Sequence, residues 1–160
     1  MGLTEESKAD IRRLRDEFPD PQSALLPALR RAQADYSGWL PAEAIDEVAE
    51  LMGMAPTRVG AVASFYTLFH GTPTGRHKIY VCTNVACSLL GGEHLLQYIS
   101  HKLGVLPGET TADGRFSLFE VECLGSCGTA PMMQVDETYH ENLTEEKVDQ
   151  ILGELAGDSG

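Results

Sequence analysis

Through residues 1–70, apolar positions recur at helical spacing. Thr4 stands as a cap before Glu5 and Glu6, and Ile11, Leu14 and Phe18 fall on one side until "FPDPQ" interrupts the pattern. A second helix is predicted from about Ser23, with Pro27 tolerated in its opening turn. Its apolar stripe is Leu25, Leu26, Leu29 and Ala32, and it ends near "YSGW". A third opens at Pro41, turns Ile45, Val48, Ala49 and Met52 inward, and stops at Gly53. The fourth, "TRVGAVASFYTLFH", is apolar for most of its length, which predicts burial against the other helices or against a partner. Trp39, Phe65, Tyr66 and Phe69 are read as core.

After "GTPTG" the period changes. "HKIYVC" (77–82) alternates as a strand does, "LLGGEHLLQYISHKLG" is helical, "FSLFEVEC" (116–123) is a strand and "PMMQVD" a short one. "TEEKVDQILGEL" is a capped helix, and the final "GDSG" is expected to fray. The order β-α-β-β-α predicts a small sheet with helices packed on it. The chain is thus α+β, with a helical bundle over 1–75 and a sheet domain over 76–160. No internal repeat is visible.

Composition narrows the function. The 160 residues carry 24 acids against 12 bases, a net charge of −12, with no basic cluster beyond Arg12-Arg13 and Arg30-Arg31. Nucleic-acid binding is not expected of such a chain. The acidity is concentrated in the sheet domain, which is either a solvated surface or a docking face for a basic partner. No apolar run approaches the roughly 18–20 residues that span a bilayer. The start, "MGLTEESKADIRRLRDEF", has no hydrophobic signal block, so an intracellular protein is expected.

The four cysteines form two pairs, Cys82 with Cys87 in "VCTNVACSLLGG" and Cys123 with Cys127 in "VECLGSCGTAPMMQV". Each pair follows one of the two long predicted strands, whose ends are fixed points from which loops can converge on a ligand. An intracellular chain does not default to disulfides. The spacings Cys-x4-Cys and Cys-x3-Cys also differ from the Cys-x-x-Cys of a dithiol redox site. Four soft thiolates can instead close a tetrahedral zinc site or hold a diiron cluster, and spacing leaves both open. Loop chemistry leans toward the cluster. Bridging sulfides accept backbone N–H groups and need the chain close by, which suits Gly125, Gly128, Ser126, Ala86 and Ser88. Val121, Leu124, Val85 and Leu89 are the apolar flank expected to limit water.

The words "ASFYTLFH", "PTGRHKIYVCTNVACSLLGG", "VECLGSCGTAPMMQVD" and "YHENLTEEKV" together resemble the 24-kDa, or E, subunits of respiratory complex I, the NADH:quinone oxidoreductase. The likeness runs over nearly the whole chain. It implies a helical N-terminal bundle followed by a thioredoxin-like [2Fe–2S] ferredoxin domain, with Cys82 and Cys87 on one iron and Cys123 and Cys127 on the other. It also implies an electron-transfer role beside a flavin subunit that binds FMN and NADH, with a further iron–sulfur subunit nearby. This chain has no Gly-x-Gly-x-x-Gly after a strand, so FMN and NADH are expected on that partner. The acidic surroundings would favour a low reduction potential. The implied location is cytoplasmic, peripheral to the inner membrane on its cytoplasmic side and attached only through the complex.

Related subunits of NAD-linked hydrogenases and formate dehydrogenases are the first alternative, and an interaction module stapled by a four-cysteine zinc site is the second. His70, His77, His94, His101 and His140 are scattered and have no Cys-His pairing, so surface or hydrogen-bonded roles are expected of them. Glu120 and Glu122 alternate on a strand without a catalytic neighbour, and Met132 and Met133 are expected to fill core. "ASFYTLFH" is the stretch best suited to contact the flavin subunit.

Overall fold

The computed structural model describes residues 2–157; residues 158–160, within the terminal "GDSG", lie outside it. The described residues fall into two compact units divided between Pro73 and Thr74.

The first unit is helical: α1 (Glu5–Glu17), α2 (Leu25–Asp35), α3 (Ala42–Met52) and α4 (Pro56–Phe65), with a 3-10 turn at Pro21–Ala24 before α2. Thr4 caps α1 by accepting the Ser7 N–H at 3.2 Å. Asp35, at the end of α2, receives the Thr4 N–H at 2.8 Å and the Thr4 hydroxyl at 3.0 Å, tying the first helix to the second. Glu47 does the same for α3, accepting Leu3 N–H at 3.1 Å and Tyr36 O–H at 2.7 Å. Between these ties lie Ile11, Leu25, Ala28, Leu29, Ala32, Ala44, Val48, Ala49 and Val59, all essentially without solvent exposure. The alanines allow the helices to approach closely, and larger side chains fill the remaining space.

Three expectations change in this unit. Phe18 is exposed, because α1 ends at Glu17 and the chain turns extended there. Leu26 lies outside the stripe, and Ala28 takes the buried position. The fourth helix stops at Phe65, short of His70. Gln33 explains the stop: its amide oxygen accepts His70 N–H at 2.9 Å and its NH2 donates to the Leu68 carbonyl at 3.0 Å, holding the segment after α4 in a non-helical path. Phe65 is therefore 78% exposed and Leu68 58%, with Tyr66 also exposed, contrary to the reading of Phe65 and Tyr66 as core. Trp39 and Phe69 are half-buried.

The second unit holds a four-stranded sheet of order β2-β1-β3-β4. Its elements are β1 (His77–Cys82), α5 (Val85–Leu89), α6 (Gly92–Leu103), β2 (Phe116–Val121), β3 (Met133–Val135), β4 (Thr138–His140) and α7 (Glu145–Gly157). β1 and β2 are parallel, from His77 opposite Phe116 to Cys82 opposite Val121, and a parallel pair requires a crossover, here α5 and α6. β3 runs antiparallel to β1, and β4 to β3. Alternation along β1 sends Ile79 and Val81 into a core with Leu95, Ile99, Leu118, Met133 and Val148. On the other register Tyr80 stacks on Phe119, ring centres 5.2 Å apart, and Cys82 follows Tyr80.

Here too the expectations shift. The predicted helix over 89–104 begins only at Gly92, as α6, because Gly91 adopts φ +96°, a left-handed conformation that separates it from α5, a short helix over Val85–Leu89 that was not expected. β4 was not expected. It forms because Asp136, at φ 52°, makes a tight turn, accepting Lys78 N–H at 2.9 Å and meeting His77 Nδ1 at 2.8 Å. His94 pairs with Glu145 at 2.7 Å, a hydrogen-bonded role like that of His77. Among the described residues no helix is long and apolar enough to cross a membrane.

Burial alone would raise the pKa of Asp35, but the bonds from Thr4 and Ser7 and the charge of Arg31 hold its carboxyl below its usual range. A depressed carboxyl stabilises the fold above its ordinary range and loses that contribution as pH falls through the depressed value. Asp35→Asn should therefore lower stability at pH 7 by about 0.5–1 kcal/mol, after allowing for solvent screening. Urea midpoints should show the deficit closing in acid; a deficit constant with pH would refute the charged tie.

Candidate metal centre

Two loops bring the cysteines to one end of the sheet. Cys82 is the last residue of β1, and its N–H donates to the Met132 carbonyl at 3.3 Å; Thr83 N–H donates to the Val121 carbonyl at 3.0 Å. The ends of β1 and β2 and the chain entering β3 are thereby held together. Asn84 then opens α5, its side chain accepting Val85 N–H at 2.9 Å, and α5 carries Cys87. Gly92 closes this loop. A Cβ there would stand 2.7 Å from the Cys82 carbonyl oxygen and 2.9 Å from that of Cys87, so only glycine fits without displacing both backbones.

Cys82 and Cys87 are buried, packed with Met132 and flanked by Leu124 and Ala130. The Cys82 thiol reaches the Glu122 carbonyl at 3.6 Å. Cys87 is pushed up to about 11 by its burial, by its hydrogen bond with Cys82 and by the charges of Cys82 and Cys127, while a bond from Met132 N–H works the other way. Three of the four cysteines thus act on one another. Burial favours the protonated form of the Cys87 thiol.

Cys123 and Cys127 lie on the loop after β2 and are exposed. Gly125 N–H donates to Cys123 Sγ at 3.4 Å, the kind of bond that stabilises a thiolate ligand. Cys127 opens a 3-10 turn, Cys127–Thr129. Glu141, beyond β4, accepts hydroxyls from Ser126 and Thr129, and these two bonds hold its carboxyl below the usual range. Tyr139 O–H donates to the Leu124 carbonyl at 2.8 Å.

The arrangement differs from the sequence reading in its apolar wall. Val85 and Leu89 are 71% and 81% exposed and leave the cysteines to be screened by Met132, Leu124 and Ala130. The short helix α5 turns Cys87 inward and those two side chains out. Glu120 takes a hydrogen bond from Thr83 O–H at 2.8 Å, and Met132 and Met133 are both buried. Tyr139 and Glu141 were missed as site residues; their signal was the unpredicted β4, which carries the chain back beside the second cysteine loop. Among the described residues no group of three or more His, Cys, Asp or Glu side chains is placed to hold a metal ion. Soft donors, a backbone N–H on sulfur, an apolar floor and a glycine pressed against the Cys82–Cys87 backbone suit an iron–sulfur cluster.

The sequence pattern of the thioredoxin-like [2Fe-2S] ferredoxins matches residues 11–156. The chain belongs to that family. It is 45% identical over 152 residues to the second E-type subunit of NADH-quinone oxidoreductase in Rhizobium meliloti, covering 95% of this chain and 88% of that protein. It is 41% identical over 158 residues to NADH-quinone oxidoreductase subunit 2 of Thermus thermophilus, covering 97% and 87%. Among solved structures, an NAD+-reducing [NiFe]-hydrogenase in the air-oxidized state superposes with a TM-score of 0.74 at 25% identity, over 85% of this chain and 23% of the hydrogenase chain. Family membership makes this an iron–sulfur protein of thioredoxin-like fold.

Gly92→Ala should destabilise the chain by about 1–3 kcal/mol through overpacking and lower its iron content. Gly153→Ala, in α7 with open space around it, should stabilise by about 0.5–1 kcal/mol. Urea unfolding with iron analysis checks both, and full iron in Gly92→Ala would show that the turn does not need the close approach.

Proposed function

We propose that this chain is an electron-transfer subunit of NADH:quinone oxidoreductase, with Cys82, Cys87, Cys123 and Cys127 holding one [2Fe–2S] cluster. The observation that carries this reading is the joining of both cysteine loops at one sheet end, in a chain 41–45% identical to subunits of that enzyme over almost its full length. Bound there, the cluster supplies one-electron chemistry. The protein's own part is positional. Cys82 and Cys87 sit on rigid elements in a dry setting, and Met132 shields them from water. Cys123 and Cys127 face outward, where a redox partner can approach.

In this reading FMN and NADH belong to a flavin subunit of the same complex, from which the chain receives single electrons, and a further iron–sulfur subunit lies nearby. The chain reaches the cytoplasmic face of the inner membrane only through those partners. The helical residues 1–75 serve docking, and 76–160 carry the cluster. Phe65, Tyr66 and Leu68 offer the flavin subunit exposed apolar side chains at and just past the end of α4, with the Phe65 and Tyr66 rings edge to face 5.1 Å apart. A second reading, the equivalent subunit of an NAD-linked hydrogenase, draws on the hydrogenase superposition. An equivalent role in a formate dehydrogenase and a zinc-stapled interaction module are the remaining alternatives.

Anaerobically purified protein should contain about two irons and two sulfides per chain. About one zinc with no sulfide would end the electron-transfer proposal. Cys82→Ala and Cys127→Ala should each lose the cluster, and full iron in either would refute the four-ligand assignment.

Replacing Phe65 and Leu68 together by Ser should leave the unfolding free energy from urea titration within about 0.5 kcal/mol of the parent, because both are exposed. It should weaken co-purification with the flavin subunit. Undiminished co-purification would place the docking surface elsewhere.

A further inference from the structure

Cys82 and Cys87 are placed by a strand and a helix, but Cys127 sits on an exposed three-residue 3-10 turn, a structure too short to hold its own shape. Within the turn Thr129 N–H donates to the Ser126 carbonyl at 3.2 Å, and the Thr129 hydroxyl lies 3.2 Å from the same carbonyl oxygen. A further hold on the turn comes from the chain just past β4. Glu141 accepts both the Ser126 hydroxyl and, at 2.6 Å, the Thr129 hydroxyl, and both bonds end on the same oxygen, Oε1. Ser126 Oγ and Thr129 Oγ1 are themselves 2.8 Å apart. Three oxygens therefore close a triangle across Cys127, one hydroxyl just before it and one two residues after. Asn142 N–H to the Thr129 carbonyl, at 2.7 Å, and Leu143 N–H to the Pro131 carbonyl, at 3.0 Å, anchor the same strap to the same loop.

We propose that Glu141 is a positioning residue for the cluster: through Oε1 it locks the Ser126–Thr129 turn and so sets where Cys127 Sγ stands against the buried Cys82–Cys87 pair. The proposal rests on the reading that these cysteines hold a cluster. It makes a specific demand on chemistry. Because one oxygen takes both bonds, an amide carbonyl at the same place serves as well, and the negative charge is not required. Glu141→Gln should keep the clamp, whereas Glu141→Ala removes it.

The test uses the full chain with its cluster assembled, comparing wild type, Glu141→Ala and Glu141→Gln. Three quantities are read: the EPR spectrum after dithionite reduction, the rate of iron release to a ferrous chelator, and the urea midpoint of the metal-free chain. Glu141→Ala should alter the EPR line shape and speed iron release about tenfold or more, the scale on which a partner that orients a metal ligand acts. Glu141→Gln should return both close to wild type. An Ala variant with the wild-type spectrum overturns the proposal, even if its urea midpoint falls, because a merely structural role would do that. A Gln variant as impaired as Ala overturns it as well, assigning the effect to charge. Wild-type protein with no iron or sulfide would instead sink the cluster reading on which the proposal stands.

Discussion

The parallel pairing of β1 with β2 is the constraint on which the rest of the second unit depends. Parallel strands end on the same side of a sheet, so the loops that leave Cys82 and Val121, which face each other in register, depart from one place. No sequence-local interaction could join residues so far apart. The pairing does it with backbone hydrogen bonds, extended by Thr83 N–H to Val121 and Cys82 N–H to Met132. The fold spends a crossover of two helices on this juxtaposition, and the central strand is buried on both faces as a result.

That geometry makes the cysteine pairs unequal. The first pair leaves a central strand and returns at once through α5, so it is enclosed, and Gly92 sets how tightly the return can pass. The second leaves β2, an edge strand, and has no helix to enclose it. Its loop must be held from outside, and the chain through and just past the β3–β4 hairpin supplies Tyr139 and Glu141 for that purpose. The first pair is therefore buried and held by a strand and a helix, and the second is exposed and strapped from outside.

Most of this could be read in the residues, and the failures have physical causes. Thr4, Gly53 and the stripe of Val48, Ala49 and Met52 announced their helices because caps and periodicity act locally. The four cysteines stood out because soft donors in spaced pairs have few other uses. β4 was missed because its turn is made by Asp136, a non-glycine residue at positive φ stabilised by bonds to His77 and Lys78, 59 and 58 positions away in the chain. With β4 went Tyr139 and Glu141. Val85 and Leu89 were misplaced for a related reason: apolar character says that a side chain favours burial, not which way a five-residue helix will turn it. The stop of α4 at Phe65 depended on Gln33, an amide on another helix.

The same amide bears on why large apolar side chains remain outside the helical unit. Its core is complete without them: Ile11, Leu25, Leu29, Val48 and Val59 are fully buried, and the alanines between them leave little room. Adding Phe65 or Leu68 to such an interior would overpack it. Gln33 holds the backbone of Leu68 and His70 in place while Phe65 and Leu68 point to solvent, so their exposure is built by specific hydrogen bonds and is not the residue of loose packing. A chain that orders its backbone to display apolar surface loses free energy in isolation and recovers it when that surface is covered. Exposed aromatic residues on a well-packed unit are therefore better explained by an assembly than by the stability of the unit itself.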